Sequence, residues 1–351
     1  MAKTPKIKTP KVKDAKLDLP CKTRISLGVI GIYIDLCMKK DGTVWRWLAN
    51  IFPPKNFPTL KPKDGIETYD VVVDPSTNVW FRVYAPTTDL KIEDLPLIIY
   101  YHGGGYALLN NDTKMYDDLC QQLCTKLPCI VISPEYGLAP ENKYPQQFDD
   151  GVDVLTFLDN PENLKRSNLP NLNVSRCFIA GDSAGGNLAH FVTLRAAQMQ
   201  TKFKQVKVSG LLAIQPFFGG EERTNSESEL SGKVPFLNLK RTDWFWKAFL
   251  PEGEGYDRDH PSVNVSGPRA IDISKVDFPK TMVVVAGFDI LKDRQMSYAQ
   301  YLQNAGTEVQ IAEYPNMFHD FITFPELPEA DQFISQAKEF VYGLFNKDSK
   351  K

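Results

Sequence analysis

Histidine is scarce in this chain, with only four in 351 residues, at positions 102, 190, 260 and 319. Any chemistry that needs an imidazole therefore has four sources, and a histidine-rich metal site is excluded. Cysteine is almost as sparse: six residues, at 21, 37, 120, 124, 129 and 177, with no Cys-x-x-Cys unit. That absence excludes paired-thiolate zinc sites and thioredoxin-like redox motifs. A chain of this length needs no disulfide staples, so all six are expected to be reduced, with Cys120 and Cys124, one helical turn apart, packed in a core.

Long apolar runs are missing too. No stretch reaches the eighteen or more residues that span a bilayer, and the longest candidate, 25–36, is broken by Gly28, Gly31 and Asp35. The first residues lack the apolar core and small-residue cleavage site of a secretory leader, and the polar residues 346–351 carry no retention signal. Charge of one sign is not in excess either: 41 Lys and Arg face 43 Asp and Glu, a net charge of -2. No whole-molecule field draws such a protein to nucleic acid or to an anionic membrane. The expectation is a cytoplasmic monomer or homodimer whose partner is a small molecule, with neither metal nor cofactor.

What is present is ordinary globular composition, 42% hydrophobic and 24% charged. Residues 1–20 contain Lys3, Lys6, Lys8, Lys11, Lys13 and Lys16 separated by prolines, which predicts a disordered basic tail. Residues 21–60 carry an amphipathic pattern followed by Trp45, Trp47, Pro53 and Pro54 and are expected to form an N-terminal cap. Beyond them, 61–346 form an α/β domain. Short β-branched runs at 69–73, 80–85, 97–101, 129–133, 177–180, 210–214, 282–286 and 309–312 alternate with helical patterns at 113–126, 146–159, 186–198 and 293–304. This alternation predicts an eight-stranded, mostly parallel sheet with helices on both faces, opened by an antiparallel pair around Pro75-Ser76.

The chemistry is concentrated at Gly181-Asp182-Ser183-Ala184-Gly185. A Gly-x-Ser-x-Gly pattern by itself is weak. Here it leaves a buried strand and enters a helix, and that context predicts a nucleophile elbow with the Ser183 hydroxyl lifted above the sheet edge. Independently, His102-Gly103-Gly104-Gly105 ends the strand at 97–101. Bare backbone is useful where N–H groups must approach a ligand, so Gly104, Gly105 and Ala184 are expected to form an oxyanion hole, with each donor worth about 3 to 4 kcal/mol in the transition state.

Chain order at such an elbow runs serine, acid, histidine. His102 and His190 are then misplaced, and no strand-end carboxylate separates His260 from Ser183. His319, just past the strand at 309–312, remains as the base. Asp289, immediately off the strand at 282–286, is expected to orient it, and Asp293 to stabilise the following helix. Asp182 is expected to face away from these groups and brace loops. Tyr106, Leu108, Leu109, Phe217, Phe218, Trp244 and Ile290 are candidates for the pocket, with Tyr106, Leu109, Phe217, Trp244 and Ile290 named as substrate-binding, although core packing explains each nearly as well.

With these residues in hand, the sequence resembles the plant carboxylesterases of the hormone-sensitive-lipase-like group of α/β-hydrolases, relatives of the gibberellin receptor and of 2-hydroxyisoflavanone dehydratase. The likeness rests on Asp41-Gly42-Thr43, the glycine run, Leu138-Ala139-Pro140-Glu141, residues 181–187, residues 287–293 and Phe318-His319. It implies serine hydrolysis of small, fairly apolar carboxylic esters beneath the N-terminal segment. Two readings stand beside it: a dehydratase or cyclase of specialised metabolism using the same pocket, and a non-catalytic hormone receptor, in which the catalytic histidine is typically lost. Glu135, Gly137 and Asp320 depart from the group's usual residues, and Asp320 is expected to raise the pKa of His319.

Overall fold

The structure is a computed structural model that describes residues 17–348 other than 60, 88–90, 170 and 200. Most of the expected basic tail lies outside the described residues. The elements run in the order α1 Cys21–Cys37, α2 Arg46–Ile51, β1 Ile66–Asp74, β2 Val79–Pro86, β3 Leu97–Tyr101, α3 Lys114–Lys126, β4 Ile130–Glu135, α4 Gln146–Leu158 and α5 Pro161–Arg166. They continue through β5 Cys177–Asp182, α6 Ser183–Gln198, β6 Val208–Ile214, α7 Asn225–Leu230, α8 Leu239–Phe249, β7 Thr281–Phe288, α9 Lys292–Asn304, β8 Val309–Phe318 and α10 Pro328–Asp348. No described helix is long and apolar enough to cross a membrane.

The eight strands form one sheet in the order β1-β2-β4-β3-β5-β6-β7-β8. The pairs β1–β2 and β2–β4 are antiparallel and the others parallel. All eight expected strands are present. Burial on both faces explains their unbroken apolar runs. Leu97, Ile99 and Tyr101 of β3 point into the core that contains Leu155 of α4 and Leu188 of α6, whereas Ile98 and Tyr100 face Leu119 of α3 and Phe333 of α10. The six cysteines are free, with Cys120 and Cys124 buried in this second core.

The elbow is sharper than the expected helix start near Gly185. α6 begins at Ser183 itself, which holds φ 51, a left-handed backbone that a serine rarely adopts. The flanking glycines are sterically required: a Cβ on Gly181 would strike the Gly185 carbonyl, and one on Gly185 would strike the Tyr101 carbonyl. The N-terminal segment packs over the same sheet end. α1 buries Leu27 and Ile34 inward while Ile25, Val29 and Ile32 stay exposed. Arg241 of α8 anchors it, donating to the Gly31 carbonyl (2.7 Å) and to both Asp35 carboxylate oxygens (2.9 and 2.8 Å).

Candidate active site

Ser183, His319 and Asp289 come from the ends of β5, β8 and β7, and the parallel register brings those ends together. His319 Nε2 lies 2.8 Å from Ser183 Oγ, and His319 Nδ1 lies 2.7 Å from Asp289 Oδ2. All three side chains are buried. Asp289 also accepts hydrogen bonds from Gln215 Nε2 (3.1 Å), Gln295 Nε2 (2.8 Å) and the Leu291 N–H (2.9 Å), so its orientation is fixed from three directions. Asp293 lies apart, in the first turn of α9, where it accepts from the Ser226 N–H and ties α7 to α9.

Gly104 and Gly105 face the cavity that contains Ser183. Gly104 has φ +104, open to glycine and closed to most other residues, and the strained turn is locked by the Ala107 and Leu108 N–H groups donating to its carbonyl. The N–H groups of Gly104 and Gly105 have no backbone acceptor among the described residues, and that of Ala184 lies in the first turn of α6, where an N–H has no partner within the helix. Behind this loop, the partly buried Glu135 accepts from Asn110 and from the Asn111 N–H. Burial raises its carboxyl to about 7 in spite of those hydrogen bonds.

The cavity, together with the open solvent at its mouth, spans about 800 Å³. Leu27, Ile30, Tyr33 and Ile34 of α1 line it from above, Leu109 and Phe217 from the sheet side, and Phe245 of α8 from the flank. Four expected lining residues are elsewhere, among them Phe218, which packs in the core against Tyr298 and His190. The Tyr106 ring is buried against Phe249 and its hydroxyl donates to Asn187 (2.9 Å). Trp244 turns outward, its indole N–H donating to the Lys39 carbonyl (2.8 Å), because neighbours on a helix point about 100° apart and Phe245 takes the inward direction. Ile290 is fully buried in the core beside Leu291 rather than in the cavity.

The other histidines are structural in their surroundings. His190 is bonded to the Tyr298 hydroxyl (3.0 Å) and burial lowers it to about 3; His102 is bonded to the Gly103 carbonyl (2.8 Å) and burial lowers it to about 4. His260 is bonded to Ser262 Oγ (2.7 Å). His319 behaves oppositely. Burial pulls it down, but the charges of Asp289 and Asp320, the hydrogen bond to Asp289 and the charge of Asp182 outweigh that and raise it to about 9.

Two further aspartates bear on the site: Asp320 raises His319 as expected, whereas Asp182 departs from its expected place. Asp182 does not face away; it is fully buried and accepts from Tyr100 (2.7 Å) and Tyr116 (3.0 Å). Its carboxyl is raised to about 8, first by burial and then by the charge of Asp320, which lies against it. Asp320 sits in the left-handed region (φ 60), and its N–H donates to Gln215 Oε1 (3.0 Å). Gln215 was missed altogether, and its only sequence signal is a polar residue directly after an apolar strand.

Comparison with known proteins identifies the fold and the family. The alpha/beta hydrolase fold family matches residues 98–323. The chain belongs to the α/β-hydrolases, and within them to the hormone-sensitive-lipase-like group that holds plant carboxylesterases and gibberellin receptors. It is 37% identical to a gibberellin receptor of Arabidopsis thaliana over 85% of this chain and 87% of that one. It is also 37% identical to probable carboxylesterase 6 of the same plant, over 77% and 76%. A third relative, 3-O-acetylpapaveroxine carboxylesterase of Papaver somniferum, is 32% identical over 82% and 92%. Among solved structures, an esterase from the archaeon Pyrobaculum calidifontis superposes with a TM-score of 0.67 at 25% identity, covering 92% of each chain. An alpha/beta hydrolase from the metagenome of Lake Arreo superposes at 0.69 and 25%, covering 93% and 91%.

Proposed function

We propose that this protein is a serine carboxylesterase acting on small, largely apolar esters. The observation that carries the reading is the continuous chain from Ser183 Oγ through His319 to Asp289, at 2.8 and 2.7 Å. Ser183 Oγ attacks the ester carbonyl as its proton passes to His319 Nε2, and the oxyanion forms facing the Gly104, Gly105 and Ala184 N–H groups. Collapse breaks the bond to the leaving oxygen, which takes the proton from Nε2. Water then attacks the acyl-enzyme by the same route, and the acid is released. Asp289 holds the ring with Nδ1 protonated and stabilises the imidazolium. The esterase names among the relatives support the same bond chemistry.

Purified protein and its Ser183→Ala variant, assayed on p-nitrophenyl butanoate, test this directly. The variant should lose at least about 10³-fold in kcat; equal turnover by both would sink the reading. A second reading, a small-molecule receptor, draws on the gibberellin receptors among the relatives. It predicts saturable binding of an apolar acid with no ester turnover and no labelling of Ser183 by a fluorophosphonate.

A further inference from the structure

The cavity wall is largely apolar, and Asp320 reaches it beside Ser183 and His319. Asp320 is only 5% exposed, and its Oδ1 has no hydrogen-bond partner among the described residues. A buried carboxylate oxygen without a donor is costly, and native proteins rarely leave one so without use. The same Oδ1 lies 3.5 Å from His319 Nε2, the nitrogen that must hand its proton to the leaving oxygen. Burial raises the carboxyls of both Asp320 and the neighbouring Asp182, which lie against each other, and of the two Asp320 oxygens it is Oδ1 that is left without a hydrogen-bond partner.

Leaving oxygen and Nε2 must come within about 3 Å of each other for that transfer. A donor two carbons beyond the leaving oxygen, three bonds away, then falls within reach of Asp320 Oδ1. A neutral donor fits better than a cation, which would face the imidazolium formed on His319 during attack.

We propose that Asp320 is a specificity-determining residue that accepts a hydrogen bond from a hydroxyl on the alcohol half of the substrate, so that the preferred esters are monoesters of vicinal diols. This deepens the esterase reading and rests on it. A site built to pair a hydroxyl rejects the analogue that lacks it, because the buried acceptor is then stranded.

The experiment compares kcat/KM for 2-hydroxyethyl butanoate and propyl butanoate, which match in size, each normalised to its hydroxide-catalysed rate. The ratio on one enzyme sample is independent of how much protein is folded. The native enzyme should favour the hydroxylated ester by about tenfold or more. Asp320→Gly, which suits φ 60 without strain, should bring the ratio close to one, and Asp320→Asn should leave it in between. A native ratio near one, or a ratio unchanged in Asp320→Gly, overturns the inference while leaving the esterase reading intact. A variant that shifts only the pH profile would reduce Asp320 to an electrostatic neighbour of His319, and that result also overturns it. Hydrolysis of neither ester by the native protein would remove the esterase reading and this inference together.

Discussion

Gln215 donates through Nε2 to Asp289 Oδ2 at 3.1 Å, and its Oε1 takes the Asp320 N–H at 3.0 Å. One side chain at the end of β6 thus fixes both the carboxylate that orients His319 and the loop that carries His319. Gln215 holds φ 42, which asparagine tolerates. Gln215→Asn is one methylene too short to reach both partners. It should lower kcat by roughly 10- to 100-fold, since sub-ångström misplacement of a base is expensive, and should leave KM nearly unchanged because Gln215 does not line the cavity. Steady-state kinetics on an ester substrate check the split; an unchanged kcat would deny Gln215 any positioning role.

On the proposed reading His319 must be unprotonated to take the Ser183 proton, and the neighbouring carboxyl groups, Asp289 first, raise it to about 9 against the pull of burial. kcat/KM should therefore rise with pH and level off only above about 9. The linkage to stability has a definite sign: a histidine raised above its usual value of about 6.5 contributes stability that is complete below that value and lost as pH climbs through about 9. A rate profile that is already flat at pH 7 would contradict this.

His190 titrates in the opposite sense. Burial lowers it to about 3, so its contribution is present above about 6.5 and disappears as pH falls, at about 1.4 kcal/mol per unit between the two values. Urea unfolding between pH 6.5 and 4 should show stability falling, and a His190→Gln variant should show a shallower dependence.

A Cβ added at Gly185 would strike the Tyr101 carbonyl oxygen, so Gly185→Ala forces apart backbone from β3 and the elbow. The expected cost is at least about 2 kcal/mol, with displacement of Ser183. A thermal melt together with fluorophosphonate labelling reads both effects; a variant that melts and labels like the native protein would refute the steric argument.

Arg241 joins α8 to α1 through Gly31 and Asp35. Because Asp35 is half exposed, Arg241→Ala should cost only about 1 to 2 kcal/mol globally. Locally it should loosen α1 over the cavity. Limited proteolysis should cut residues 21–57 faster in the variant, and KM should rise; identical digestion patterns would exclude the anchor.

The strands, the elbow and the positions of Ser183, Asp289 and His319 could be read from the sequence because local rules govern them. β-branched runs bounded by breakers specify buried strands, Gly181 and Gly185 mark a turn that larger residues cannot make, and the sheet topology imposes the order serine, acid, histidine. The facing of side chains on α8 was not legible, because helical periodicity defines a spacing but not its phase toward a cavity, and so Phe245 rather than Trp244 lines it. Of the polar cluster at the floor, only the effect of Asp320 on its neighbour His319 was legible. Asp182, Gln215 and Asp320 lie at the ends of β5 and β6 and just past β8, up to 138 residues apart, and only the parallel pairing of the sheet brings them to His319. Sequence by itself determined which atoms could react. Tertiary structure decided their charge and what else the pocket could recognise, because burial and proximity, which set both, are properties of the assembled fold.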